Sequence, residues 1–405
     1  MKIAAIIAEY NPFHLGHKYQ IDALREQLGE DTAIVAVMSG NYTQRGELAI
    51  ADKTIRAKAA TECGINLVLE LPFPFSMSSA EFFAKSGVHI INSLGVVDYL
   101  VFGSESGNIK ELSDIAEIML SEEYSLTLEE LNNDLFYKEC GYPELCSVAL
   151  GMIYGKEIPR EFYSPNNILA IEYIKALRGI NSAVIPYTIK REGAGYNDLH
   201  NDNEKYQSAT SIRGKIIEND HSAFDFVPEN AKKVYLDAIC DGKLPSNTAR
   251  LDLAVISSLR LNSPTDWSDI HDAGGGLYNR LCDISAEATS ISSLVSLAET
   301  KKYTKARIRR AVWNTFFGVT SSEVKALPHY TQVLAMDETG QAVLKKIKKM
   351  SDFPVITKPS SYRDYGFEVI AEKELSNKAD SIYGLTLDMA DSGRFALKFT
   401  PYVKK

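Results

Sequence analysis

Cysteine is scarce in this sequence, and no two cysteines have motif spacing. Cys63, Cys140, Cys146, Cys240 and Cys282 are odd in number and form no CxxC. That excludes a sequence-evident zinc site or disulfide framework and points to reduced thiols in a cytoplasm. Long apolar runs are missing too. None approaches the roughly 20 residues that cross a bilayer, so no membrane association is expected. Residues 2–8 are apolar, but the run is too short for a secretory signal and lacks a cleavage site. There is no internal repeat, no low-complexity segment and no GxxxxGK(S/T) loop. Positive charge is in deficit: the net charge is −9. This argues against nonspecific coating of nucleic acid and leaves room for a local basic patch.

What is present is an ordinary globular balance, 45% hydrophobic and 24% charged. At 405 residues the chain is too long for one ordinary domain. In its first half, short runs rich in Ile, Val and Leu alternate with helical patterns. The runs Lys2–Ala8, Ala33–Met38, Leu67–Leu71, Tyr99–Phe102 and Ala183–Tyr187 read as strands covered on both faces. Helical periodicity lies between them at His17–Gln27, Asp52–Cys63, Ala80–Leu94 and Ile109–Leu120. The alternation predicts an α/β fold with a doubly wound, Rossmann-like parallel sheet. Residues 121–180 read as a mostly helical insertion, with Asn167–Leu177 its clearest helix. After about residue 220 the alternation fades. The expected organisation is a catalytic domain over 1–220 and a mainly helical region over 221–405.

Doubly wound sheets bind ligands at the carboxyl ends of their strands. At the end of the first strand stands EYNPFHLGHKYQ, residues 9–20. His14 and His17 are three apart and share a face on a helix entry. Gly16 lets a ligand approach the backbone. The helix amino terminus offers unpaired N–H groups, a natural phosphate seat. Imidazoles there can donate to a phosphoryl transition state. Taken alone, HxGH is more readily a capped turn with two surface histidines; its place after a first strand shifts the balance. A second stretch, SATSIR at 208–213, reads alone as a helix cap. Ser208, Thr210 and Ser211 can cap a helix or donate to phosphate, and Arg213 adds a fork of donors one turn in.

Together the two stretches resemble the HxGH and S/T-x-T-x-I-R signatures of the nucleotidyltransferase superfamily. Small-molecule members begin GGxFDPxHxGH, whereas this chain has Glu9-Tyr10-Asn11-Pro12-Phe13. That departure, with SGNYTQRGELA (39–49), LELPFPFSMSSAEFFA (69–84), FGSESG (102–107), SPNNILAIEY (164–173) and IKREGAGYND (189–198), is similar to the bacterial tRNA(Met) cytidine acetate ligases. The resemblance implies activation of acetate by ATP to acetyl-adenylate. It further implies transfer of the acetyl group to the wobble cytidine of elongator tRNA(Met), giving N(4)-acetylcytidine.

By the same resemblance the ATP site would be lined by Ile7, Ala8, Glu9, Tyr10, Asn11, Pro12, Phe13, His14, Leu15, Gly16, His17, Lys18, Tyr19 and Gln20. Gly103, Asn166 (or its neighbour Asn167) and Arg191 would add nucleotide contacts. His14, His17 and Arg213 would be the catalytic residues. Lys18 is as well read as solvated, and Arg191 as a surface ion pair. Ser39, Gly40 and Asn41 end the second strand and are expected at the acyl or base pocket, with Gln44 and Arg45, though Arg45 equally fits a pair with Glu47. Asp52 is most simply a first-turn acid. No residue declares itself a general base, and no carboxylate cluster declares a metal site. Magnesium is expected from ATP chemistry in general.

KKYTKARIRR, residues 301–310, carries six positive charges and no acid. With the family reading, Lys301, Lys302, Lys305, Arg307, Arg309 and Arg310 are expected to meet tRNA phosphates. LKKIKK at 344–349 is better read as a solvated helical face. Tyr42, Tyr196 and Tyr303 are candidates to stack on a base. Two other readings compete. A small-molecule adenylyltransferase explains both phosphate motifs but leaves the basic run idle. A tRNA-binding protein with a dead nucleotide fold is opposed by the intact His14, Gly16, His17 and Arg213.

Overall fold

Five parallel strands form where the apolar runs lie: β1 (Ile3–Ala8), β2 (Ala33–Ser39), β3 (Leu67–Leu71), β4 (Tyr99–Ser104) and β5 (Ile185–Lys190). The structure is a computed structural model. It describes residues 1–137, 140–155, 163–191, 206–261, 268–390, 393 and 399–405, with the side chains of 142 and 143 left aside. Helices cover both faces, as each strand's two-residue alternation requires. Ala4 and Ile6 of β1 pack toward α1 (Leu15–Leu28) and α2 (Lys53–Glu62). Ala5 and Ile7 pack toward α3 (Ala80–Ser93), α4 (Ile109–Leu120) and α7 (Pro165–Gly179). Polar side chains start these helices. Asp52 accepts from Thr54 N to cap α2, and Asn108 accepts from Lys110 N and Glu111 N to cap α4.

The stretch between β4 and β5 is helical. Helices α5 (Glu122–Asn133) and α6 (Tyr142–Tyr154) are its body. Helix α7 instead packs its Ala170, Ile171 and Ile174 on the sheet and carries the chain across to β5. The cause is its apolar face, which α3, α4 and the sheet bury together.

Beyond α8 (Ala209–Ile217) the chain is mainly helical: α9 (Glu229–Cys240), α10 (Asp252–Leu261), α11 (Leu277–Ser285), α12 (Ile291–Ala298), α13 (Lys305–Phe317) and α14 (Ser321–Lys325). The expected boundary near 220 is nevertheless not a boundary of the sheet. Strand β6 (Thr331–Met336) lies antiparallel against β3, with Leu67 opposite Met336 and Val68 opposite Ala335. Short strands β7 (Val355–Ile356) and β8 (Tyr402–Val403) flank β6. The order is β5-β4-β1-β2-β3-β6-β7. The physical reason is the row of unpaired N–H and C=O groups that β3 would otherwise present. Helix α15 (Glu338–Met350) buries Val343, Leu344 and Ile347 against that end, and its lysines at 345, 346, 348 and 349 face solvent.

Helices α10 to α13 enclose a separate core around Trp313 and are joined by α16 (Phe367–Tyr383). Tyr42, Leu48, Phe73 and Met77, from the loops after β2 and β3, are part of that core. It therefore clamps the helical region over the carboxyl ends of the strands. No helix among the described residues is long and apolar enough to cross a membrane.

Candidate active site

A cavity of about 580 Å³ opens over the carboxyl ends of β1 and β4. Here the sheet order turns back, since β2 and β3 lie to one side of β1 and β4 and β5 to the other. A crevice forms at such a switch point. Ala8, Glu9, Tyr10 and Asn11 line it from the β1 turn, and Gly16, His17, Tyr19 and Gln20 from α1. Phe102, Gly103, Asn166 and Arg191 line the β4–β5 side. Gln44, Arg45, Thr304, Ala306 and Arg310 close the other side.

The two histidines cap their own helix. His14 Nδ1 accepts from Gly16 N at 3.1 Å, and His17 Nδ1 accepts from His14 N at 3.2 Å. With Nδ1 used as acceptor, each neutral ring carries its proton on Nε2. The rings stack at 3.8 Å. Burial pushes the His14 pKa down to about 3, helped by the Arg191 and Arg213 guanidiniums. Burial also drives His17 well below its ordinary value, helped by His14 and Arg191. The pair is neutral at physiological pH and offers Nε2–H donors. Gly16 is required by close packing: a Cβ there would lie 2.9 Å from His14 Cε1.

Arg213 clamps the turn. It donates to the Asn11 carbonyl at 2.9 Å, to Glu47 at 3.2 Å and to Thr210 Oγ1 at 3.2 Å. Ser208 caps α8 by accepting from Ser211 N, and Ser211 donates to Gln207. From this segment Ala209 reaches the cavity wall, and the expected hydroxyls do not. On the far side Arg191 lies across Gly103, where a Cβ would meet its Cγ at 3.2 Å. Burial lowers the Arg191 pKa against the opposing field of Glu105. Glu105 accepts from Asn166 Nδ2 at 2.6 Å and from Ser164 Oγ at 2.6 Å. Asn166 is thus the asparagine at the cavity. Asn167 is fully buried and accepts from Glu105 N.

Several expected residues stand elsewhere. Asn41 is buried, bonding Asp52, Asp380 and the Lys53 N–H. The Ser39 and Gly40 carbonyls are taken by Arg56, so these three tie β2 to α2 and α16 rather than lining the cavity. Pro12, Phe13 and Leu15 shape the turn from behind; Phe13 is core and its N–H donates to Tyr235 Oη at 2.8 Å. Lys18 pairs with Asp22 one turn on. Lys301 and Lys302 are exposed, and exposed Lys305 lies 3.4 Å from Glu299. The arginines of that run turn inward. Arg307 donates to the Asp272 and Gly274 carbonyls, and Arg309 to Glu47 at 2.7 Å. Arg310 is buried against Asp272 at 2.7 and 3.2 Å and borders the cavity. Intramolecular acids and carbonyls engage these guanidiniums. Tyr42 and Tyr303 are core residues whose hydroxyls bond the Ala379 and Gly275 carbonyls, so neither is a free stacking platform. Tyr196 lies outside the described residues.

Sequence reasoning missed Ser79, Phe83, Tyr173, Thr304 and Ala306, which also line the wall. Ser79 and Phe83 sit inside SMSSAEFFA, where no residue type declared chemistry. Thr304 was hidden in a run read for its charge. It caps α13 by accepting from Arg307 N.

The chain matches the family described as HIGH Nucleotidyl Transferase over residues 1–394. It is 37% identical over 397 residues to the tRNA(Met) cytidine acetate ligase of Acetivibrio thermocellus, covering 95% of this chain and 94% of that protein. This chain belongs to the tRNA(Met) cytidine acetate ligase family. A second member, from Caldanaerobacter subterraneus, is 37% identical over 370 residues, 90% of each chain. The crystal structure of Thermotoga maritima TmcAL bound with alpha-thio ATP covers the whole chain at 29% identity with a TM-score of 0.91. The doubly wound core and helical second half are thus a ligase architecture. Among the described residues, no group of three or more His, Cys, Asp or Glu side chains could hold a metal.

Proposed function

We propose that this protein activates acetate with ATP to acetyl-adenylate. It then passes the acetyl group to the exocyclic amine of the wobble cytidine of elongator tRNA(Met), forming N(4)-acetylcytidine. One observation carries the reading: two neutral imidazoles, each with Nδ1 tied up in capping, stack at the helix end, His17 in the cavity wall and His14 behind it. Their Nε2–H donors suit the charge that builds on phosphate oxygens as an acetate oxygen attacks the α-phosphorus and pyrophosphate leaves. Arg191 adds a cation on the nucleotide side. Gln44, Arg45 and Arg310 form the acyl and base side. Magnesium would arrive on the ATP phosphates, since no described cluster is built to hold it.

The tRNA surface in this reading is the exposed Lys301, Lys302 and Lys305, just before and at the start of the helix whose first turn reaches the cavity. A cytoplasmic site of action follows from a tRNA substrate. The small-molecule adenylyltransferase is not favoured, because it leaves that arrangement without a purpose.

The test is nucleoside mass spectrometry. Purified protein is incubated with ATP, labelled acetate and tRNA lacking acetylcytidine. Labelled acetylcytidine is the expected product. Acetate-dependent pyrophosphate release without it, unaffected by tRNA, would overturn the proposed acceptor.

A further inference from the structure

Glu9 is the one carboxylate among the described residues lining the cavity. Its place is fixed from three directions. Its Oε1 accepts from Gln44 N at 2.9 Å, and its carbonyl accepts from Arg56. The next residue, Tyr10, is buried in a left-handed conformation with φ 46°. Among the described residues Oε2 has no hydrogen-bond partner, so one oxygen is held and the other faces the cavity side free to meet a ligand.

The neighbours of Glu9 belong to the acyl and base side. Gln44, whose N–H it accepts, is bonded through its carbonyl to Arg310 at 3.3 Å. The Arg213 fork is committed to Asn11, Glu47 and Thr210, so Glu9 feels that cation without a direct ion pair. An anion at this position is a poor contact for a triphosphate, because like charges repel most strongly away from water. It is a good acceptor for a proton. Burial raises its pKa, opposed by the Gln44 N–H and the fields of Arg213 and Arg45. A carboxylate so raised is a stronger base than an ordinary one. The histidines cannot take the role, since burial holds them at weak basicity.

We propose that Glu9 is the general base of the acetyl-transfer step. This rests on the reaction proposed above. The cytidine N4 lone pair attacks the acetyl carbonyl carbon, and the carbon–oxygen bond to phosphate breaks with its electron pair leaving on AMP. The proton lost by nitrogen passes to Glu9 Oε2.

Glu9→Gln tests it, because the amide oxygen still accepts from Gln44 N while the anion is gone. Two rates are measured: acetate-dependent ATP–pyrophosphate exchange, and single-turnover transfer from synthetic acetyl-adenylate to tRNA. The expected result is a loss in transfer of about 100-fold or more beyond any change in exchange. Glu9→Asp, which keeps the charge at shorter reach, is expected to retain more transfer than Glu9→Gln. Transfer at the wild-type rate in Glu9→Gln overturns the proposal, and so does an equal fall in both rates. An aspartate variant slower than the glutamine variant also overturns it. Wild-type protein with no acetate-dependent exchange would overturn the reaction itself, and the base with it.

Discussion

Each histidine of the opening turn does two jobs with two different nitrogens. Nδ1 satisfies an orphan N–H of α1, and Nε2 is left as a donor. The jobs can be separated. His14→Asn keeps a capping acceptor and, being shorter, removes the donor at the Nε2 position, so helix stability should change by about 1 kcal/mol or less. Acetate-dependent exchange should fall by about 100-fold or more. Thermal unfolding and exchange, measured on one preparation, check both. The neutral state also sets a pH response. The His14 folded pKa lies below its unfolded value, so the unfolded chain takes up the proton first on acidification. The stability from keeping the ring neutral is complete above about pH 6.5 and is lost as pH falls toward 3. Unfolding midpoints between pH 7 and 4 should fall on acidification, and less steeply in His14→Asn. The residue spacing HxGH made this pair readable without a structure. Asn41 was not readable. A residue at a strand end can face the crevice or the flanking helices, and its partner Asp380 lies 339 positions away.

At the scale of elements, the segment 42–48 couples the cavity to the helical region. Tyr42 and Leu48 form a bridge at its ends. At its tip Gly46 has φ 70°, and a Cβ there would sit 2.7 Å from Arg309 Cβ and Arg310 N. Its carbonyl accepts from Trp313 Nε1 at 3.1 Å. Gly46→Ala is expected to cost about 1–3 kcal/mol, from backbone strain and overpacking. Chemical denaturation measures it, and a loss under about 0.5 kcal/mol would mean the tip is not clamped. Strands β1 to β5 were legible because each is a short apolar run between helices. Strand β6 was not, because what makes it a strand is the open edge of β3 more than 260 residues earlier. Two-residue strands such as β7 and β8 carry no periodicity to read.

At the scale of the molecule, net charge −9 must coexist with the polyanionic substrate proposed above. The basic run resolves this in part: its arginines hold the helical region together and its lysines face solvent. Replacing Lys301, Lys302 and Lys305 together by Ala is expected to weaken tRNA binding. The slope of log affinity against log salt should fall by about 0.7–0.9 per lost phosphate contact. Filter binding across a salt series reads both, and an unchanged slope would mean these lysines meet no phosphate. Charge runs are legible in sequence as composition only. Which members turn inward depends on Asp272 and Glu47, which the fold brings up from elsewhere.

The antiparallel seam between β3 and β6 has a consequence for how the protein is made. Synthesis is vectorial, and β3 emerges from the ribosome long before its neighbour does. During that interval the nascent sheet carries an open edge that can pair with another chain. The parallel core cannot be sealed until translation has passed residue 336, and β8 joins only after residue 403. A ribosome stalled short of residue 330 would therefore hold a sheet with an adhesive edge. Chaperone occupancy on the nascent chain should persist through that window.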